Sequence, residues 1–191
     1  MQYTLPLKKP HQYRSEDFIF STCNAPLHEL LHNDKWGHEP YPEIVLLIAP
    51  KASGKTHFCH LLSESIIIMD DIDSMDESEV FHAFNRCHEN HQRALFTCKD
   101  YKHFTLPDLK SRLASVRCIT IDLPDDLMMK SLLIKSLTER SIKVSDDVIK
   151  FLLVRIPRSF DALEQSLDLI DRLSIEQKRN ISVPFLSSLK L

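Results

Sequence analysis

The chain has 191 residues, with 24 basic and 27 acidic side chains, a net charge of −3 and 43% hydrophobic residues. That length suits one or two small domains with a real core, and the slight acidic balance gives no general pull toward nucleic acid, whose phosphates are usually met by a basic surplus. No apolar run approaches the roughly 20 residues that span a bilayer, and the start, MQYTLPLKKP, has no apolar core behind its charges, so neither a membrane span nor a signal peptide is expected.

Residues 1–17 read as a polar, extended arm punctuated by Pro6 and Pro10. Phe18-Ile19-Phe20 is a short apolar patch, and Leu27, Leu30 and Leu31 give helical spacing over 26–33. A loop over 33–42 carries Gly37, Pro40 and Pro42. Residues 44–48 are apolar throughout, as a central parallel strand should be. A helix over 55–64 puts Phe58, Leu61 and Leu62 on one face. A strand over 66–69 ends in Asp70-Asp71, followed by a helix over 77–90, a strand over 94–97, a helix over 106–113 and a strand over 118–121. The alternation argues for a parallel α/β sheet. After Pro124 the pattern turns helical, over 125–140, 146–156, 159–173 and 183–189, with Ser145 as N-cap of the second helix. Three parts follow: an arm, 1–17, an α/β subdomain, 18–123, and an all-helical subdomain, 124–191.

Cys23, Cys59, Cys87, Cys98 and Cys118 are odd in number and never at C-x-x-C spacing, which suits reduced thiols and a cytoplasmic location. His28 and His32, and His88 and His91, stand at spacings that ligand pairs use. No second pair completes either set, so ordinary packed or surface histidines are the preferred reading. Glycine is scarce: only Gly37 and Gly54 occur, where a usual share is about 7%. A glycine kept between Ser53 and Lys55 therefore points to a job that needs its backbone freedom.

The stretch IAPKASGKTHF, 48–58, supplies that job. It fits G-x-x-x-x-G-K-[ST], a phosphate-binding loop between a strand and a helix, except that Ala49 holds the first glycine position. The backbone amides of Pro50-Lys51-Ala52-Ser53-Gly54 and of Lys55, Thr56 and His57 would cradle phosphates, save Pro50, which has no N–H. Lys55 adds a point charge and Thr56 a hydroxyl for Mg²⁺. Four apolar residues then deliver Asp70 and Asp71 to the carboxyl end of a buried strand, where ligands bind in open α/β sheets. Asp70 is the candidate Mg²⁺ carboxylate, and Asp71 the candidate to orient an attacking water. For this segment alone a plain strand and acidic turn is the simpler reading; together with the loop, an ADP or ATP site with Mg²⁺ is favoured. The first glycine is expected to support the tight entry turn, so Ala49 should weaken binding without abolishing it. Only nine residues separate Thr56 from Ile66, enough for one return helix, so an edge strand is expected to be missing.

The chain resembles the AAA+ domain of the bacterial replication initiator DnaA and, more closely, the Hda family of DnaA-related inactivators. The resemblance covers nearly the whole chain. It rests on Gln2–Leu7, Ser53–His57, Met69–Ile72, the string Leu106-Pro107-Asp108-Leu109-Lys110-Ser111-Arg112-Leu113, which is the most specific, and Ile181–Phe185. It implies a P-loop AAA+ sheet, shortened at one edge, followed by a helical lid. It implies that Arg112 is an arginine finger and that Asp100 lies in the sensor-1 region. Without the family, Arg112 reads as a surface arginine paired with an acid and Asp100 as a solvated loop acid. It implies that Gln2, Leu5, Pro6 and Leu7 form a binding motif for the DNA polymerase sliding clamp, for which an ordinary terminal strand is the bland alternative. The family's sensor-2 arginine falls at Asp161, with Arg158 three residues away, which implies weak or no ATP hydrolysis by the chain itself. The initiator's DNA-binding domain is not expected, nor is sequence-specific DNA contact.

The implied function is regulation of replication initiation. The resemblance implies that the chain would bind adenine nucleotide and the clamp and would promote hydrolysis of DnaA-bound ATP through Arg112. DnaA and the clamp are the implied partners, and a second copy of the chain is a further candidate. The alternatives are a stand-alone P-loop ATPase or small-molecule kinase, and a non-catalytic clamp-binding adaptor.

Overall fold

The computed structural model describes residues 13–32, 36–62 and 64–189. Four parallel strands, β1 (Ile44–Ile48), β2 (Ile67–Met69), β3 (Ala94–Cys98) and β4 (Arg117–Thr120), form one sheet in the order β2-β3-β1-β4. β1 is hydrogen-bonded on both sides, with Leu46 level with Phe96 and Cys118. Both of its faces are also covered, which is why it is apolar at every position. Val45 and Leu47 point into a core shared with Leu27 and Leu30 of α1 (Ala25–His32) and Phe58 of α2 (Lys55–Leu61). Ile44 and Leu46 point the other way. They meet Val80 and Phe84 of α3 (Glu77–Glu89) and Leu109 and Leu113 of α4 (Pro107–Ser115).

Four more helices follow, α5 (Asp126–Glu139), α6 (Asp146–Arg155), α7 (Phe160–Gln177) and α8 (Val183–Ser187). Their apolar stripes close on a third core that includes Leu133, Leu152, Leu167 and Phe185. Met128 and Phe160 instead join the sheet's first core, so this helical unit is rooted beside α2. The α/β sheet and helical unit agree with the expected fold class. Among the described residues the sheet has two edge strands, β2, which pairs with β3 alone, and β4, which pairs with β1 alone.

Several boundaries differ from expectation. Ser15–Asp17 is a 3-10 turn within the expected extended arm, closed by Phe18 N donating to Ser15 O at 3.2 Å. α2 stops at Leu61, because Leu62 turns extended and its N–H closes back on Cys59 O. α7 runs on past Leu173 to Gln177 and ends with Lys178 in the left-handed region, φ 51°. Ser145 occupies the N-cap of α6 without a side-chain capping bond, whereas Asp76, Asp125 and Ser159 do cap α3, α5 and α7.

The loop before β1 contains a cis peptide at Glu39-Pro40 and folds tightly over Gly37. Gly37 N donates to Pro42 O at 2.9 Å. A Cβ there would stand 2.7 Å from the carbonyl oxygens of Tyr41 and Ile44. These are backbone atoms that cannot rotate aside. Gly37→Ala is therefore expected to destabilise the fold by about 1–3 kcal/mol. Urea denaturation checks this, and an unchanged midpoint would contradict the close fit.

Candidate phosphate-binding site

β1 delivers the chain into the loop without a sharp turn at Ala49. Its N–H donates to Cys98 O at 2.9 Å, continuing the ladder by one residue. Ala49 is only 1% exposed and lies outside the left-handed region. The expectation that the first glycine position makes the entry turn is thus corrected: a Cβ here fills core space. The curve is made later, at Ala52 (φ 61°) and Gly54 (φ 87°). Alanine in that region carries a cost of roughly 1–2 kcal/mol. Ser53 Oγ donates to Pro50 O at 2.7 Å and closes the loop on itself. Gly54 is the N-cap of α2, so the first amides of that helix open onto the loop.

Lys55 stands at the centre. It is buried, and its Nζ donates to Ala49 O at 3.2 Å and Pro50 O at 3.3 Å. It also faces Asp71 Oδ1 at 3.4 Å as an ion pair. That Oδ1 is buried and makes no hydrogen bond, although half of the Asp71 side chain is exposed. Asp71 itself is left-handed, φ 51°, a backbone state that clusters at functional sites. Thr56 Oγ1 donates to Asp70 Oδ2 at 2.7 Å. Thr97, fully buried on β3, donates to Asp70 Oδ1 and accepts from Asp71 N at 2.9 Å. The structure therefore brings together Lys55, Thr56, Asp70 and Asp71 on a strand-held frame. Hard hydroxyl and carboxylate oxygens at this spacing suit Mg²⁺. The Asp71 oxygen, ion-paired to Lys55 but without a hydrogen bond, and the long bonds of Lys55 mark a place where polar valence is left over.

Thr97 was not singled out from the sequence, because a threonine in a strand looks like an ordinary β-former. The nearby thiols, Cys59 and Cys98, are buried. Burial, and then the charges of Asp70 and Asp71, push Cys59 up to about 12. Burial, and then Asp73 and Asp100, do the same for Cys98, also to about 12.

A small cleft of about 70 Å³ opens beside the loop, walled by Phe18, Ile19, Gly54, His57, Met128 and Phe160. Arg14 and Asp17 are tied beside it from two sides. His57 Nε2 lies 2.9 Å from Arg14 O, and Lys135 Nζ of α5 donates to Asp17 O at 2.6 Å. His57 thus turns toward the arm. Lys51 makes an ion pair with Asp161 of α7 at 3.3 Å, so the helical unit reaches the loop through a carboxylate. Arg158 is engaged elsewhere, pairing with Asp126 at 2.7 Å.

The remaining candidates lie apart. Asp100 closes its own exposed turn by accepting from Lys102 N at 2.9 Å and stands outside the bonded set around Lys55. Arg112, in the last turn of α4, packs over the Phe81 ring at 4.7 Å from its centroid and donates to Asn85 Oδ1. Its partners on α3 are thus an aromatic ring and an amide, not an acid. Glu77, also on α3, accepts from Leu106 N at 2.6 Å, and the amides of Thr105 and Leu106 hold its carboxyl below the usual range. Gln2, Leu5, Pro6 and Leu7 lie outside the described residues.

Residues 125–189, the helical unit α5–α8, match the family described as Hda, lid domain. Domain III of DnaA from Thermotoga maritima superposes with a TM-score of 0.68 at 15% identity, covering 90% of this chain and 92% of that one. The chain is thus Hda-like in its helical lid and shares its fold with domain III of DnaA. The AMPPCP-bound DnaA of Aquifex aeolicus superposes with a TM-score of 0.60 at 18% identity, over 86% of this chain and 66% of that one. A Haemophilus influenzae protein, described as uncharacterised, is 29% identical over 140 residues, 68% of this Hda-like chain and 60% of its own length. The chain therefore spans about 60% of that curated relative. Among the described residues no helix is long and apolar enough to cross a membrane.

Proposed function

We propose that this Hda-like chain regulates replication initiation by promoting hydrolysis of ATP bound to DnaA. Its own loop holds ADP or ATP, its first residues grip the polymerase sliding clamp, and Arg112 is the group offered to DnaA's nucleotide. One observation carries the reading: an Hda-type lid sits on a DnaA-type sheet whose phosphate loop is geometrically formed.

The chain's residues divide the work. Loop amides and Lys55 would meet phosphate oxygens, and Thr56 and Asp70 would supply oxygen donors to Mg²⁺. Bound Mg²⁺ would neutralise phosphate charge. Asp71 directs one oxygen at Lys55 rather than toward a water, and Asp161 places a negative charge where the family has an arginine. Both features suit a chain with little hydrolysis of its own. Arg112 on a neighbouring α4 would spread its charge over the γ-phosphate of DnaA's ATP, an effect worth about 10³–10⁵ in rate in well-studied cases. The clamp motif supplies proximity: Pro6 limits the shapes of the arm and lowers the ordering cost of seating Leu5 and Leu7.

The test is single-turnover hydrolysis of DnaA-bound ATP with clamp loaded on DNA, with and without the chain. Acceleration is expected, and its absence would overturn the reading. Removing residues 1–7 is expected to weaken clamp binding at least about tenfold, the equivalent of one lost anchor of ~1.4 kcal/mol. Equal affinity would remove the clamp from the proposal.

A further inference from the structure

Glu77, Phe81 and Asn85 recur at every fourth position of α3 and so form one stripe along that helix. Each meets α4 or its entry. At the N-terminal end, the Glu77 carboxylate accepts from Leu106 N at 2.6 Å, from Thr105 N at 2.9 Å and from Thr105 Oγ1 at 3.1 Å. Leu106 is the N-cap of α4 and has no side chain able to cap it. Its entry amides are met as a capping-box glutamate meets them, but from the neighbouring helix. At the other end, the Arg112 guanidinium stacks over Phe81 and donates through Nη1 to Asn85 Oδ1. A second ring, Phe84, lies 5.9 Å away.

A guanidinium carries five donors in a planar fork. Asn85 takes one of its nitrogens, and among the described residues no further hydrogen bond or ion pair holds the fork. Asparagine is also neutral. It fixes the guanidinium without cancelling the charge, as a carboxylate partner would. An arginine already held in one rotamer loses less freedom on meeting a phosphate than a loose one.

We propose that the Glu77–Phe81–Asn85 stripe is the seat that positions Arg112 for presentation to a neighbouring subunit's nucleotide, an inference that rests on the reading of Arg112 above. Glu77 fixes the start of the helix that carries the arginine. Phe81 fixes the plane of the guanidinium, and Asn85 its rotation. None of the three touches nucleotide, so they are positioning residues.

The experiment measures stimulated hydrolysis of DnaA-bound ATP, with clamp on DNA, for Asn85→Ala, Phe81→Leu, Arg112→Ala and the Asn85→Ala/Arg112→Ala pair. Misplacement of a reacting group by about 1 Å can cost up to 10²-fold, so Asn85→Ala is expected to lower kcat about tenfold while KM for DnaA–ATP stays within about twofold. Phe81→Leu keeps the apolar contact but removes the ring face, and should lower kcat several-fold. In the Arg112→Ala background, Asn85→Ala should do nothing more, because it acts only through the arginine. A merely structural role would instead add its loss in both backgrounds. An unchanged or faster rate for Asn85→Ala, or an additive loss in the pair, overturns the seat. If Arg112→Ala itself stimulates normally, the reading of Arg112 fails and the seat fails with it. If Arg112→Ala is inactive while Asn85→Ala is normal, only the seat fails.

Discussion

Replacing Arg112 with alanine should leave the chain folded and able to bind the clamp, yet slow the hydrolysis it stimulates on DnaA by roughly 10³-fold or more. The size follows from where the charge is needed. Negative charge spreads over the transferred phosphoryl oxygens in the transition state, and a guanidinium in a water-poor interface meets it with several directed donors at once. The structural cost within the chain is smaller. Arg112 loses its contact over Phe81, worth about 0.5–1 kcal/mol at a partly exposed site. A small drop in Tm is therefore expected beside a very large drop in rate. Arg112→Lys keeps the charge but loses the fork and the flat face, so it should fall between the two. Rapid-mixing hydrolysis of ATP preloaded on DnaA separates these cases. Normal stimulation by Arg112→Ala would leave the chain as a clamp-bound adaptor without a catalytic arm.

How far such residues can be read from sequence depends on what holds them. β1 was legible to the residue because a strand covered on both faces has no polar position to blur its limits. The Lys55–Thr56–Asp70 set was legible for a similar reason, since each member sits at the end of a regular element. Ala49 was read as a defect. Its backbone angle is not written in its identity, and the turn it was thought to make occurs three residues later, at Ala52. Thr97 went unnoticed because its role is fixed by β2 lying beside β3, a pairing between segments 27 residues apart. The same holds for the α3 stripe. Glu77, Phe81 and Asn85 look like ordinary helix residues until α4 is laid across them. Lys51 and Asp161 could each be singled out from the sequence, but not their contact, which requires the lid to fold back on the loop.

That contact sets the second large expectation: Asp161→Arg should tighten nucleotide binding by about 10- to 100-fold. In the native chain Lys51 belongs to the phosphate loop, yet its Nζ lies 3.3 Å from the Asp161 carboxylate. A phosphate arriving there meets a lysine already engaged and a carboxylate behind it. Bare Coulomb attraction at such a distance is about 4 kcal/mol at an effective dielectric near 20. Lys51 is 68% exposed and Asp161 35%, so screening brings each charge down to about 1 kcal/mol. The substitution removes one negative charge, adds one positive charge and releases Lys51, which together amount to about 2 kcal/mol. Stability should move the other way. Asp161 lies in the first turn of α7, where an acid favours the helix dipole by about 0.3–1 kcal/mol, and it accepts from Gln165 Nε2 at 2.6 Å. The free variant should thus melt slightly lower than the native chain, and recover when ADP or ATP is added. Asp161→Asn separates the causes, because it removes the repulsion without supplying a guanidinium and should gain about half the effect. Calorimetric titration with ADP and ATP reads all three proteins. Equal or weaker binding by Asp161→Arg would mean that residue 161 does not face the phosphates, and that the lid meets the loop for structural reasons alone.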